Sequence, residues 1–163
     1  MRLLSLDPSG NFNEGKGTTG WANYYNDQVT SVGQILAKTF SNRKDYWDAH
    51  IKLLESLQPE IVVLESYVLF QNTQKMQIGS EMETSQLIGI ITHYCDTHGI
   101  KLILQHPKIQ ARYPRELLLK KGIISKKNNT YYAAGVIITR HILSAIKHAE
   151  FYIRFGRKKE KKQ

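Results

Sequence analysis

Cysteine and long apolar runs are what this 163-residue sequence has least of. The single cysteine, Cys95, cannot form an internal disulfide, and its apolar helical surroundings predict a small core residue. Such usage suits a reducing, cytoplasmic setting. The longest apolar runs, EIVVLE and LIGII, are too short to cross a bilayer. Asp7 interrupts any basic-then-apolar signal pattern at the start of the chain, so we expect neither membrane nor export.

Acidic residues are scarce in the second part of the sequence. Residues 101–163 hold 16 Lys and Arg against three Asp and Glu, whereas residues 1–100 hold seven against eleven. The net charge of +9 is therefore concentrated in one part of the chain, which indicates a polyanionic partner. Nucleic acid is the first candidate and an anionic membrane surface the second. No basic amphipathic helix with Trp or Phe anchors is evident, which favours nucleic acid.

Hydrophobic periodicity predicts one domain over residues 1–153, with no internal repeat, followed by a basic disordered tail over 154–163. Three meandering strands come first, and helices and strands then alternate. The predicted strands cover 1–7, 18–27, 28–38, 60–65 and 101–105. The predicted helices cover 43–57, 80–97, a short stretch after Pro114, and about 131–153, with a Lys-rich loop over 120–130.

This order of elements predicts an α/β fold with a mixed five-stranded sheet and helices on both faces. The first three strands are antiparallel, and the two that follow helices run parallel to the first strand by right-handed crossovers. The strand after the first helix usually lies beside the first strand. Since Asp7 ends the first strand and Glu65 ends that later one, we expect the two carboxylates to meet.

Asp7 and Glu65 each end an apolar run, LLSL and IVVL, where a carboxylate loses hydration and needs compensation. Asp7 could simply accept backbone bonds in the turn over 8–10, and Glu65 could pair with a surface lysine. Taken together, two neighbouring buried carboxylates need a shared proton or a divalent cation. Mg²⁺ prefers carboxylate oxygens and keeps waters that a phosphate can replace. With the basic second part, this favours metal-assisted phosphodiester hydrolysis.

Four segments together resemble the RuvC family of Holliday-junction resolvases. They are LLSLDPSG…GTTGWA, IVVLESY, SEMETSQLIGIITHYC and RHILSAIKHA, and their order and separation carry the resemblance. The resemblance is colinear over residues 1–110 and about 135–150, and weak over 112–130. The loop at 10–17 and the short chain suggest a phage-type member, acting in the host cytoplasm.

The resemblance implies a ribonuclease-H-like endonuclease that uses Mg²⁺, with Mn²⁺ as a substitute, to resolve Holliday junctions and other branched DNA by paired nicks in recombination and repair. It also implies a homodimer, since a four-way junction has two-fold symmetry. Two other interpretations stay open: a junction-binding protein that does not cut, and another ribonuclease-H-fold nuclease that acts on RNA.

The resemblance assigns the metal-binding role to Asp7 and Glu65 and a catalytic role to His141. Without the resemblance, His141 could instead be a polar helix residue that faces solvent. Ser144 stands where the family has a catalytic Asp, and a neutral hydroxyl does not replace that charge. The resemblance therefore predicts a chain that binds junctions but cleaves them slowly, whether Ser144 is natural or introduced.

Further residues are predicted to hold DNA or a second copy. Basic side chains of the second part are candidates for phosphate contacts, although some could be merely solvated: Lys108, Arg112, Arg115, Lys120, Lys121, Lys126 and Lys127. Tyr67 and Phe70 could stack on unpaired bases, or equally pack in the core. The family uses the helix over 80–97 for dimerisation, which points to Ser85, Ile88, Gly89 and Thr92.

Overall fold

The computed structural model describes residues 1–66 and 82–157. The chain begins with an antiparallel meander of three strands: β1 (Arg2–Asp7), β2 (Thr18–Tyr25) and β3 (Gln28–Leu36). Asn26 and Asp27, with φ of 49° and 66°, form the two-residue turn between β2 and β3. Asn and Asp tolerate this left-handed conformation better than most residues, so the predicted hairpin is confirmed.

The rest of the chain alternates helices with strands that complete the sheet. These elements are α1 (Arg43–Leu57), β4 (Ile61–Glu65), α2 (Glu83–Thr97), β5 (Lys101–Gln105), α3 (Arg115–Lys120) and α4 (Arg140–Phe151). The strand order is β3-β2-β1-β4-β5. Strand β4 runs parallel to β1, and β5 runs parallel to β4. The predicted mixed five-stranded α/β fold is confirmed.

Side chains of the central strands alternate between two cores. Leu3 and Val63 pack with α4 on one face, whereas Leu4 and Val62 pack on the opposite face with residues of α1 and α2. Burial on both faces explains the unbroken apolar run of β4 and the mostly apolar β1, in which Ser5 is also buried. The same alternation places the last residues of β1 and β4 on the α4 face.

Residues 120–137 differ from the prediction. In place of a Lys-rich loop and the start of a long helix, the chain forms a three-stranded sheet of β6 (Ser125–Lys127), β7 (Thr130–Ala133) and β8 (Val136–Ile137). Ala134 and Gly135, with φ of 47° and 77°, turn the chain between β7 and β8. The predicted helix start at about 131 is therefore wrong. Helix α4 begins at Arg140, where the Thr139 Oγ1 caps it by accepting from the Ile142 amide at 3.4 Å.

The C-terminal helix continues past the predicted domain boundary at 153. Tyr152–Gly156 form a π-helical extension of α4, and Arg157 donates two hydrogen bonds to the Asp27 carboxylate at 2.8 and 2.7 Å. Residues 158–163 of the predicted tail lie outside the described residues. Among the helices of residues 1–66 and 82–157, none is long and apolar enough to cross a membrane.

A close approach at Gly20 sets the position of α4 on the sheet. Gly20 lies opposite Asp7 in the β1–β2 pairing. A Cβ at this position would lie 2.2 Å from the backbone carbonyl carbon of His141 and 2.5 Å from the Ile142 amide nitrogen. Backbone atoms cannot give way as a flexible side chain can, so only glycine lets the first turn of α4 come this near to Asp7.

We expect Gly20→Ala to destabilise the protein, because the added methyl group must push the first turn of α4 away from β2. The cost should be about 1–3 kcal/mol, as for other overpacking substitutions. Denaturant unfolding measures it, and the His141–Asp7 contact should weaken in parallel. An unchanged unfolding free energy would show that α4 is free to shift without cost.

Candidate active site

The two carboxylates that end β1 and β4 lie side by side. Leu6 pairs with Leu64 in the parallel ladder, and the same register carried one residue further sets Asp7 beside Glu65. Both side chains are largely buried, with 17% and 16% of their surfaces exposed. The predicted approach of the two acids is therefore present, at the carboxyl ends of adjacent parallel strands and under the first turns of α4.

Helix α4 brings three polar side chains to this carboxylate pair from one face. His141 Nδ1 lies 3.0 Å from Asp7 Oδ2. Ser144 Oγ donates to Glu65 Oε2 at 2.9 Å, and His148 Nε2 meets the same oxygen at 2.6 Å. The spacing i, i+3, i+7 aligns them along the helix. The site therefore divides into an Asp7–His141 pair and a Glu65 cluster.

Glu65 is held by a set of donors that the sequence did not reveal in full. Gln110 Nε2 donates to Glu65 Oε2 at 2.8 Å, in addition to Ser144 and His148. His148 is fully buried, and its Nδ1 meets the Gln105 side-chain amide at 2.8 Å. All of these donors converge on Oε2, which leaves Oε1 available among the described residues. Spacing could have found His148, which shares a helix face with His141, but nothing in the sequence marked the two glutamines.

The surroundings separate the acidities of the two carboxylates. Burial, followed by the charge of Glu65, raises the pKa of Asp7 from 3.8 to about 6, although its bond with His141 opposes the shift. Burial also acts to raise the pKa of Glu65, but the hydrogen bonds from His148, Ser144 and Gln110 outweigh it and the pKa is lowered. One acid therefore ionises readily and its neighbour reluctantly, a pattern typical of functional carboxylate pairs.

The donor set at this site fits a hard cation. The negative charge of Glu65 opposes ionisation of Asp7, and a divalent cation between the two carboxylates would neutralise that charge. Within residues 1–66 and 82–157, no group of three or more His, Cys, Asp and Glu side chains is arranged to hold a metal ion. Mg²⁺ does not require such a cage, because it binds through one or two carboxylates and keeps several waters.

The loop after Asp7 is fixed through its backbone by buried side chains of the sheet and α1. The Ser9 amide donates to Thr19 Oγ1 at 3.0 Å, and Thr19 Oγ1 in turn meets His50 Nε2 at 2.8 Å. The Tyr46 hydroxyl donates to the Ser9 carbonyl at 2.5 Å. Burial lowers the pKa of His50 to about 4, so this imidazole is neutral and structural. Asp7 is consequently presented from a rigid turn.

Helix α2 holds the same loop from its other side. Gly10 donates its amide to Thr84 Oγ1 at 3.1 Å, and Phe12 donates its amide to Glu83 Oε2 at 3.1 Å. The Trp47 indole, on α1, donates to the Gly10 carbonyl at 2.9 Å. A Cβ at Gly10 would come within 2.1 Å of the Glu83 carbonyl oxygen, so this contact also requires glycine.

The basic residues predicted to contact DNA separate into two groups. All seven are exposed, and six of them form no ion pair with another described residue: Lys108, Arg112, Arg115, Lys120, Lys126 and Lys127. Lys121 instead pairs with the buried Glu150 at 3.3 Å and donates to the Tyr113 hydroxyl, which gives it a structural role. Tyr67 and Phe70 lie outside the described residues.

The residues predicted to form a dimer contact are unequally exposed on α2. Ile88 packs against the core beneath the helix, and the Thr92 hydroxyl donates to the Ile88 carbonyl at 2.8 Å. Ser85 is half-buried. Gly89 is exposed with open space around it, and Ile90 beside it is 38% exposed. The outward stripe of α2 is therefore displaced by about one residue from the predicted one.

We expect Asp7→Asn to stabilise the metal-free protein at neutral and alkaline pH. Because the folded-state pKa of Asp7 is about 6 against an ordinary 3.8, ionised Asp7 opposes folding above about pH 6 and has no such effect below about pH 4. The variant should therefore gain about 1–3 kcal/mol at pH 8 and lose this advantage as the pH approaches 4. Thermal unfolding in EDTA across this pH range measures it.

Glu65→Gln provides the matched control for this prediction. The pKa of Glu65 is lowered in the fold, so its ionised form stabilises the protein and the glutamine variant should lose stability at pH 7. The two substitutions each remove one negative charge but should have opposite signs. Equal shifts of both variants would show that only net charge matters.

Comparison with solved structures places this architecture among known folds, whereas no protein-family model and no curated protein matches the chain. RuvC of Thermus thermophilus, solved in complex with a Holliday junction substrate, is 15% identical with a TM-score of 0.66, over 98% of this chain and 96% of that one. A second structure of Thermus thermophilus RuvC is 14% identical with a TM-score of 0.60, over 96% and 97% of the two chains. The Fowlpox virus resolvase, in complex with Holliday junction DNA, is 12% identical with a TM-score of 0.49, over 99% and 98%. The predicted resemblance is confirmed at the level of the fold: the chain has the ribonuclease-H-like fold of RuvC.

Proposed function

We propose that this protein is a metal-dependent endonuclease that resolves Holliday junctions and related branched DNA by paired nicks, acting as a homodimer. The observation that carries the proposal is the pair of buried carboxylates, Asp7 and Glu65, at adjacent strand ends beneath α4. The fold shared with RuvC, a protein solved in complex with a Holliday junction substrate, supports the choice of DNA structure.

Asp7 and Glu65 would hold Mg²⁺, with Mn²⁺ as a substitute. The bound ion would supply Lewis-acid stabilisation of the phosphate charge and lower the pKa of a coordinated water. Side chains of the protein would orient the carboxylates and the reacting groups. Ser144, His148 and Gln110 fix Oε2 of Glu65, so this carboxylate would be presented to the cation in one orientation. His141, which is fixed against Asp7, would act near the attacking water or the leaving oxygen.

The distribution of charge along the chain supports a nucleic-acid partner. Six exposed cations of the predicted set lie on the elements between β5 and β7, and few acidic residues accompany them. Contacts to backbone phosphates supply most of the affinity for DNA and weaken as salt rises. A second copy would pack on the outward stripe of α2, where Gly89 allows close approach and Ile90 offers apolar surface.

A non-cleaving junction-binding protein is the second candidate, and Ser144 is the observation that favours it. Ser144 is 3% exposed and its hydroxyl is committed to Glu65, so position 144 contributes no negative charge to the site. Two-metal nucleases use their carboxylates to clamp two ions about 3.5–4 Å apart. With one carboxylate fewer, the second ion would bind weakly and cleavage would be slow.

Competition binding followed by a cleavage assay tests the proposal. The protein should bind four-way junctions more tightly than three-way, duplex or single-stranded DNA, and its affinity should fall steeply with salt. Asp7→Asn should keep or tighten junction binding and abolish stabilisation by Mn²⁺. Lys52→Ala, on the exposed side of α1, is the control for loss of one surface charge. Equal affinity for all four DNAs, or unchanged Mn²⁺ affinity in Asp7→Asn, would reject the proposal.

We expect Ser144→Asp to raise the rate of junction cleavage in Mg²⁺ by orders of magnitude, since metal-assisted charge stabilisation amounts to several kcal/mol. The same variant should unfold at a lower temperature in EDTA, because a third carboxylate then adjoins Glu65, and the divalent ion should restore its stability. Ser144→Asn is the uncharged control and should show neither effect. Rapid cleavage by the unaltered protein, or an unchanged rate in Ser144→Asp, would show that position 144 does not hold the missing carboxylate.

A further inference from the structure

A small cleft opens beside the first turn of α4, next to the candidate active site. Its volume is about 90 Å³. Its walls are Arg115, Tyr131, Ile138, Thr139, Arg140 and Leu143. Sites for whole small molecules usually enclose about 300 Å³ or more, so neither a nucleoside nor a sugar ring fits inside this one. A single phosphate group is of suitable size.

The side chains around the cleft select a negatively charged group. The guanidinium of Arg115 lies over the ring of Tyr131, which is on β7, at 4.5 Å from the ring centroid. The Lys126 ammonium lies 5.5 Å from the same centroid. Among the described residues, neither Arg115 nor Arg140 forms an ion pair. Lys147 lies two turns beyond Arg140 on α4, and burial followed by repulsion from Arg115 lowers its pKa. The charge of Glu116 opposes this shift at Lys147, and one carboxylate leaves the group of cations with an excess of positive charge.

One wall of the cleft is directly connected to the candidate active site. Arg140 Nε donates to His141 Nε2 at 3.1 Å. His141 therefore accepts from Arg140 at Nε2, and its Nδ1 donates to Asp7 Oδ2. Both ring nitrogens are engaged, so His141 cannot offer Nε2 to a substrate while Arg140 stays in this position.

We propose that the cleft binds a backbone phosphate of DNA next to the scissile phosphodiester, and that this phosphate draws Arg140 away from His141 and frees its Nε2. The proposal rests on the proposed function, which it deepens by assigning a substrate subsite and a positioning residue. Arg140 acts through His141: without DNA it occupies the ring nitrogen, and with DNA it anchors the strand. Guanidinium groups suit this role because they bind phosphate oxygens in a bidentate manner.

A metal-free NMR titration with a short thymidine oligonucleotide tests the cleft without requiring junction selectivity or cleavage. In the unaltered protein, the Arg140 Nε and His141 Nε2 signals should shift together as the oligonucleotide binds. Arg115→Gln should remove both shifts, whereas Lys52→Ala should keep them. In Arg140→Gln, the His141 Nε2 signal of the free protein should already differ from that of the unaltered protein. Shifts caused by inorganic phosphate but not by the oligonucleotide would overturn the proposal.

Junctions with one neutral methylphosphonate linkage locate the phosphate. Placed next to the scissile position, the neutral linkage should weaken binding to the unaltered protein about tenfold, as expected for a charge-assisted contact. The same linkage should have almost no further effect on Arg115→Gln or Arg140→Gln, because the contact is already lost. If the neutral linkage weakened binding by the same factor in the unaltered protein and in both arginine variants, at every position tested, the assignment would be overturned.

The two arms separate failure of the subsite from failure of the proposed function. Coupled Arg140 and His141 shifts with the oligonucleotide, together with equal affinity for all DNA forms, would keep the cleft and reject junction resolution. Selective junction binding without any change in the Arg140 or His141 signals would keep the proposed function and reject the phosphate subsite.

Discussion

Repulsion between two carboxylates on neighbouring parallel strands is the constraint on which the rest of this structure depends. Strand β4 must lie beside β1 to complete the sheet, and the register then forces Asp7 and Glu65 together in a largely buried position. Neither acid can move away, because the strands are buried on both faces and the loop after Asp7 is fixed by α1 and α2. The fold therefore stores an unfavourable charge interaction at one place.

The surrounding residues relieve this repulsion unequally. Glu65 receives three donors on one oxygen and stays readily ionised, whereas Asp7 meets His141 among the described side chains and holds its proton more tightly. Helix α4 makes both arrangements possible, and it reaches the sheet because Gly20 leaves room for its backbone. The asymmetry has a chemical consequence: a cation or a proton is needed mainly at Asp7, and Glu65 presents a fixed orientation to whatever binds there.

The sequence predicted the sheet and the carboxylate pair because both follow from local patterns. Short, mostly apolar runs mark the strands buried on both faces, and an acid at the end of each run is visible without a structure. The sheet of β6, β7 and β8 was not predicted from the sequence. The charged residues Lys126 and Lys127 are typical of a loop, and the Ala134–Gly135 turn lacks the usual Asn or Asp. Gln105 and Gln110 could not be predicted, since their contacts exist only once β5 and the following turn pack against α4.

Ser144 changes the balance between stability and chemistry at this site. A hydroxyl at position 144 donates to Glu65 and adds no charge, so it stabilises the arrangement without metal. A carboxylate there would add a third repulsion and would be tolerated only with a cation to neutralise it. Functional sites commonly reduce stability in this way, and removal of a charge from them commonly raises it. The present site therefore combines a carboxylate pair at adjacent strand ends with a neutral hydroxyl that stabilises this pair without a cation.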